Sequence, residues 1–241
     1  MAVVSGIGGG IGGEFAKQLT QKNFRVIGLA RKEGIYDHEV ITGIDFEDSS
    51  TIKKLPAEIE RLLGPPSSSC KIDLLINCSA VLGSGSPGPE RSVKGIDPDW
   101  MEKSFKVNAF GHVHVTNLLL PWIAAGNAPA SPARIVNMSA RVGSIEDNSL
   151  GGWYSYRMSK AALNQFTKTL AIELKRTNTV VLSLHPGTTD TTLSKPFQKN
   201  VKEGKLFTPE HTVSRMLEVV LTRGMAHTGG FFDYAGLPIA W

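Results

Sequence analysis

Uninterrupted apolar runs are missing from this 241-residue chain. No window approaches the roughly 18 apolar residues of a membrane-spanning helix, which excludes an integral membrane protein of that type. Cysteine is scarce: Cys70 and Cys78 are too few for a disulfide framework or a four-cysteine zinc site. Neither charge sign dominates. Lys and Arg number 26 against 22 Asp and Glu, and the net +4 is spread along the chain rather than gathered in a block. That excludes a nucleic-acid-binding arm and leaves a small polyanion as the easier partner. Without G-K-[ST] there is no nucleotide-triphosphatase loop, and without G-x-S-x-G no hydrolase elbow. No charged-then-apolar leader opens the chain, so the expectation is a cytoplasmic protein. The first strand signal, Ala2–Val4, is shorter than the usual ~5–6 residues. A shortened or processed start would explain it and keeps an organelle open.

Glycine is in local excess: seven of the 25 lie between Gly6 and Gly28. From there strand and helix signals alternate. Strands are expected at Ala2–Val4, Phe24–Leu29, Val40–Asp45, Ile72–Asn77, Ile135–Met138, Val180–Leu184 and from Phe231. Helices are expected at Gly12–Gln21, Ser50–Leu63, Trp100–Ile123, Ser155–Lys175 and Pro209–Thr222. Gly64–Ser69, Val81–Pro98 and Thr188–Phe207 read as loops. The alternation predicts an α/β fold, a doubly wound parallel sheet with helices on both faces. The length suits one domain.

Ser5–Gly12, with Gly6, Gly10, Ile11 and Gly12, lies between the first strand and the first helix. A chain that turns there and brings bare backbone against a phosphate needs glycine, and the helix start offers free N–H groups and a positive dipole end. Gly8, Gly10 and Gly13 also satisfy G-x-G-x-x-G. At the end of the second strand an NAD site usually carries an acid. Here the residues are Ala30, Arg31 and Lys32, and two cations suit a 2′-phosphate, so NADP is expected over NAD.

Tyr156 and Lys160 stand four apart and share one face of a helix. Free tyrosine titrates near pH ~10, and a neighbouring ammonium and a cationic nicotinamide ring would favour the phenolate. Such a pair can exchange a proton near neutral pH.

Taken in order, these motifs resemble the short-chain dehydrogenase/reductase family. The resemblance covers nearly the whole chain: the Ser5–Gly12 loop, Asp45-Phe46, the run Asp73–Asn77, Val107-Asn108, Ile135–Ser139, Tyr156 with Lys160, and Pro186–Thr191. Ser139–Asn164 also resembles the bacterial C-factor-like branch. The family implies a single Rossmann-type dinucleotide-binding and catalytic domain over residues 1–241, and a role for each matched residue. Gly6, Gly10 and Gly12 would shape the pyrophosphate turn, Asp45 and Phe46 flank adenine, and Asn77 lie near the adenosine ribose. Tyr156 would be the general acid/base. Lys160 would hold the nicotinamide ribose and depress the tyrosine pKa. Asn108 would kink its helix and hold a water in a proton relay. Thr189 and Thr191, after Pro186-Gly187, would meet the nicotinamide half.

Two departures from the family stand out. Ala80 replaces a glycine that lets backbone approach the cofactor, which predicts a tighter contact, and Cys78 reads as a small buried hydrophobe. The hydroxyl that polarises the carbonyl falls at Ala140 when Gly143 is matched. Ser139 is the nearer replacement and Ser144 its rival. Losing such a donor costs roughly 10²–10³ in rate.

His112 and His114 lack a carboxylate or cysteine partner, so no metal is expected, and His185 before Pro186 reads as a strand-end core residue rather than a base. Trp153, Tyr154 and a lid over residues 192–207 are the expected substrate walls. The helices Trp100–Ile123 and Ser155–Lys175 resemble those that build the family's dimers and tetramers, which implies a homo-oligomer. The expected function is NADP(H)-dependent interconversion of a carbonyl and an alcohol. The alternative is a dinucleotide-binding signalling or scaffold protein with vestigial catalysis.

Overall fold

The computed structural model describes residues 1–83, 88–123 and 132–241. Its centre is a seven-stranded parallel sheet. The strands are β1 (Ala2–Ser5), β2 (Val26–Leu29), β3 (Glu39–Ile41), β4 (Leu74–Asn77), β5 (Ala133–Met138), β6 (Thr179–His185) and β9 (Gly230–Asp233). They lie in the order β3-β2-β1-β4-β5-β6-β9. β1 pairs Ala2 with Val26 on one side and with Leu74 on the other. Strand order therefore reverses beside β1, and such switch points open a crevice at the carboxyl ends of the strands.

All four residues of β1 are buried, as a strand covered on both faces requires. Alternation assigns the faces. Ala2, Val4 and Ile76 join Phe15 and Leu19 of α1 (Gly10–Gln21) and Val213, Met216 and Leu217 of α7 (Pro209–Thr222). Val3, Leu75 and Ile135 join Leu55 and Ile59 of α3 (Leu55–Leu63), Val115 and Leu119 of α5 (Gly111–Leu119), and Leu170 of α6 (Tyr154–Glu173). The doubly wound sheet and the strand–helix alternation are as expected from the sequence.

Four segments differ. The strand expected over Val40–Asp45 is β3, which ends at Ile41 because Gly43 turns the chain with φ +67°. The helix expected over Ser50–Leu63 is two: α2 (Ser49–Ile52) and α3. Pro56 lacks an N–H and its ring clashes with the carbonyl four residues back, which is Ile52, where α2 ends. The helix expected over Trp100–Ile123 starts earlier, at α4 (Pro98–Phe105), because Asp97 accepts from the amides of Asp99 and Trp100 and Pro98 occupies the first turn. It then passes through a π turn, Lys106–Phe110, before α5. The Thr188–Phe207 loop contains paired strands, β7 (Thr188–Thr189) and β8 (Leu206–Phe207), and a 3₁₀ turn at Lys195–Asn200.

Candidate active site

A cleft of about 980 Å³ opens at the switch point. At its centre the chain turns from β1 into α1, and three glycines are required for different reasons. Gly6 has φ +72°, and a Cβ there would stand 2.9 Å from the Ser79 nitrogen. A Cβ on Gly10 would stand 2.8 Å from Thr191 Cγ2, and one on Gly12 would stand 2.2 Å from the Gly6 carbonyl oxygen. Gly9 begins α1 with no side-chain cap, and Gly10, Ile11 and Gly12 line the cleft. The first-turn N–H groups and the positive helix end are thus available to an anion. This donor set fits a dinucleotide pyrophosphate.

One arm of the cleft is walled by Arg31, Lys32, Glu33, Asp45 and Phe46. Arg31 lies 3.5 Å from Glu47, which also pairs with Lys103 at 2.9 Å. Phe46 is wedged by Gly111, where a Cβ would come within 2.2 Å of its ring, and meets the edge of His112 at 5.5 Å between centroids. Glu33 was missed in the sequence reading. Its carboxylate accepts from the Thr42 hydroxyl, so the cation pair shares its wall with an acid.

Several expected site residues lie beneath the cleft instead of in it. Asn77 is fully buried and donates to Thr116 and Asn137 at 3.0 and 2.9 Å. Asn137 passes the chain to Thr167, which Ser183 also reaches. Asn77 therefore belongs to a polar seam joining strands and helix, and its successors Cys78, Ser79 and Ala80 face the cleft. Ser5 Oγ accepts from the Cys78 amide at 3.1 Å and ties β1 to β4. Gly187 (φ +71°) packs against Tyr234 and Phe207, and Thr189 shares a hydrogen bond with Thr212 at 3.0 Å. Pro186 and Thr191 do line the cleft.

At the other arm lie Tyr156 and Lys160, both buried. The Lys160 ammonium stands 5.8 Å from the Tyr156 ring centroid and donates to the Met138 carbonyl at 2.8 Å. Burial lowers Lys160 to about 8 and pushes the Tyr156 phenol above its usual range. The direction for tyrosine is opposite to the one expected from the lysine's charge, because burial disfavours the phenolate and the neighbouring Cys78 adds to the rise. Burial also raises the Cys78 thiol to about 12, so it remains a protonated small side chain. Asn108 sits in the π turn, as its expected kink implied. Its amide oxygen accepts from Val81 N at 2.8 Å, and its nitrogen donates to Val81 O and Ser159 Oγ at 3.0 and 3.1 Å. Those bonds fix the Val81 wall.

The two serines separate clearly. Ser139 borders the cleft, but its hydroxyl donates to Asn164 Oδ1 at 2.6 Å. Asn164 is oriented by donating to the Gly143 carbonyl at 3.2 Å. Ser144 accepts from the Asp147 amide and donates to the Trp241 carbonyl, and it does not line the cleft.

Beyond Tyr156, Leu193, Pro196 and Phe197 close the cleft. Trp153 contacts both Phe197 and Tyr156, with centroids 5.3 and 6.2 Å apart. Neither Trp153 nor Tyr154, both expected as walls, lines the cleft itself; Trp153 instead packs behind Tyr156 and Phe197. Sequence reasoning also missed Glu90, whose buried carboxylate accepts from Ser155. No local signal links residues 65 apart. Among the described residues no cluster of His, Cys, Asp and Glu could hold a metal ion. His112 is held near 3 by burial and its Nε2 donates to the Ser79 carbonyl at 2.8 Å, so it is a neutral structural ring.

Residues 1–202 match the family model described as short chain dehydrogenase. The C-signal protein of Myxococcus xanthus is 33% identical over 170 residues, which are 70% of this chain and 93% of that one. The 1-hydroxy-2-glutathionyl-2-methyl-3-butene dehydrogenase of Rhodococcus sp. (strain AD45) is 25% identical over 99% of this chain and 98% of its own. Among solved structures, NADPH-bound carbonyl reductase from chicken fatty liver superposes with a TM-score of 0.83 at 22% identity, covering 100% of this chain and 98% of that one. The chain belongs to the short-chain dehydrogenase family, oxidoreductases that work on CH–OH and C=O groups. No helix among the described residues is long and apolar enough to cross a membrane.

Proposed function

We propose that this protein is an NADP(H)-dependent carbonyl reductase or alcohol dehydrogenase with Tyr156 as its general acid/base. The carrying observation is the buried Tyr156–Lys160 pair at one end of a cleft whose middle is the glycine turn and whose far arm bears Arg31 and Lys32. The first-turn groups of α1 would hold the pyrophosphate. Arg31 and Lys32 would take the 2′-phosphate, and Phe46 and Asp45 would border the adenine. The NADPH of the chicken carbonyl reductase favours the same cofactor. When bound, the nicotinamide supplies or accepts the hydride.

The chain's own residues manage the proton. With its pKa raised by burial, Tyr156 is a neutral phenol at physiological pH and is ready to donate to a carbonyl oxygen. The Lys160 ammonium then stabilises the phenolate left behind, and in the alcohol-oxidising direction the same pair takes the proton back. Ser139 has one hydroxyl proton, and Asn164 holds it. Among the described residues, Tyr156 is therefore the side-chain donor assigned to the carbonyl oxygen. Residues 192–207 form the lid, with Leu193, Pro196 and Phe197 supplying an apolar wall for a hydrophobic carbonyl compound. Exposed Phe110, Met158 and Ile172, on the helices expected at subunit contacts, favour a homo-oligomer.

A dinucleotide-binding signalling protein with vestigial catalysis is the second reading, favoured by Ala140 and the engaged Ser139 proton. The test is parallel fluorescence titration with NADPH and NADH, followed by a carbonyl screen with a Tyr156→Phe control. NADPH-dependent turnover that the control loses supports the reductase. Tight cofactor binding without turnover supports the second reading.

A further inference from the structure

We propose that Glu90 is a positioning residue that sets the start of α6 and so fixes Trp153 and Tyr156; the inference rests on the reading of Tyr156 as the proton donor. α6 begins in an unusual way. Gly151, Gly152 and Trp153 have φ of +66°, +65° and +56°, three left-handed residues in succession, and the last is a bulky side chain that rarely adopts that conformation. Such a turn persists only where its surroundings hold it. Two anchors do so. Arg157, one turn into the helix, donates to the carbonyls of Gly152, Gly151 and Val142 at 3.0, 3.2 and 3.1 Å. Glu90 reaches in from the segment after β4.

Among the described residues, Glu90 makes its hydrogen bonds to Trp153, the last residue of the turn, and to Ser155 after it. Its backbone carbonyl accepts from the Trp153 amide at 2.6 Å. Both carboxylate oxygens lie 3.4 Å from the Ser155 amide, and Oε1 also accepts from the Ser155 hydroxyl. Trp153 supplies no side-chain cap of its own. A carboxylate from 65 residues away therefore caps this helix, buried where the positive end of the helix dipole favours it. Tyr156 is the next residue. Its ring position relative to Lys160, and the Trp153 ring against Tyr156 and Phe197, follow from where this first turn sits.

Val81, Leu82 and Gly83 line the active cleft; Asn108 pins Val81, and Glu90 is pinned to Ser155. Gly83 lies so close to Pro89 that an added Cβ would come within 3.1 Å of the proline ring, so the two pinned ends are in contact. Glu90 thereby couples the substrate wall to the helix that carries the proton donor.

The test compares Glu90→Ala, Glu90→Gln and Ser155→Ala in the full chain. Three quantities are measured: kcat and KM on a carbonyl substrate, NADPH affinity by fluorescence, and amide hydrogen exchange. Glu90→Ala is expected to lower kcat at least ~10-fold, since small misplacements of a reacting group carry penalties of that size. NADPH affinity should stay within about 2-fold, because no part of the pyrophosphate turn is touched. Exchange should quicken at residues 153–157 and not in the sheet. Glu90→Gln keeps an oxygen for the Ser155 hydroxyl and should recover part of the loss. Unchanged kcat and unchanged exchange in Glu90→Ala overturn the proposal. So does a loss shared equally by cofactor affinity and sheet protection, which marks a merely structural role. If Glu90→Ala fails to fold, Ser155→Ala and Glu90→Gln decide by the same local pattern. A wild-type chain that binds NADPH but turns over no carbonyl counts against the reductase reading, and the exchange data alone then decide the anchoring.

Discussion

The hydroxyl of Ser139 donates to the amide oxygen of Asn164 at 2.6 Å, and that single bond removes its proton from the cleft it borders. Asn164 cannot reverse roles, because its nitrogen is already donating to Gly143. Ser139→Ala should therefore lower kcat by less than ~10-fold, well short of the roughly 10²–10³ that follows loss of a true oxyanion donor. Ala140→Ser, at the position where the family carries that hydroxyl, should raise kcat. Steady-state kinetics on the two variants check both. A Ser139→Ala loss of ~10²-fold or more would mean that the hydroxyl turns away from Asn164 toward the substrate.

The pH dependence follows from Lys160. Its pKa falls from the ordinary 10.5 to about 8 through burial, so the ammonium beside Tyr156 is lost as pH rises through 8. The reduction rate is expected to decline above about pH 8, with no limb from Tyr156 near neutrality because burial raises that phenol. The sign for stability is opposite. Between about 8 and 10.5 the unfolded chain binds more protons at this group than the folded one, so its penalty on folding shrinks as pH rises. A kcat profile that stays flat to pH 10 would contradict this assignment.

Cofactor choice tests the far arm. Arg31→Ala should weaken NADPH binding about 10-fold or more while leaving NADH nearly unchanged, as expected for loss of a charge-assisted phosphate contact. Glu47→Gln removes the acid that competes for Arg31 at 3.5 Å and should shift selectivity further toward NADPH. Equal effects of Arg31→Ala on both cofactors would place the 2′-phosphate elsewhere.

Packing behind the site gives a stability prediction. A Cβ at Gly143 would lie 2.8 Å from Lys160 Cβ and 3.0 Å from its backbone carbon, with no flexible tip to yield. Gly143→Ala should cost about 1–3 kcal/mol by overpacking and should reduce activity by displacing Lys160. Denaturant unfolding beside the activity assay measures both. An unchanged midpoint would show that α6 moves away freely.

The sheet was legible because its strands are short apolar runs separated by helical periodicity, and the glycine turn because bare backbone is its only solution. Lys160 beside Tyr156 was legible from helical spacing alone. What failed was side-chain direction at strand ends. Asn77 and Ser5 stand at the carboxyl ends of β4 and β1, as expected, yet Asn77 turns into the polar seam and the Ser5 hydroxyl accepts from the Cys78 amide, so neither side chain lines the cleft. Thr189 likewise turns to Thr212. Neighbouring residues in a strand point to opposite faces, so a motif match that is right in register can still be wrong about which side chain reaches the ligand. Ser139's partner and the Glu90–Ser155 link join segments far apart in the chain, and no local pattern encodes either.

On the proposed reading, Tyr156 gives the carbonyl oxygen its proton. The most direct measurement is NADPH oxidation by wild type and Tyr156→Phe on the best substrate from a carbonyl screen, with NADPH affinity measured on both. A loss of at least ~10³ in kcat is expected for Tyr156→Phe, with cofactor affinity retained. A Tyr156→Phe variant that keeps a substantial fraction of the wild-type rate would contradict it.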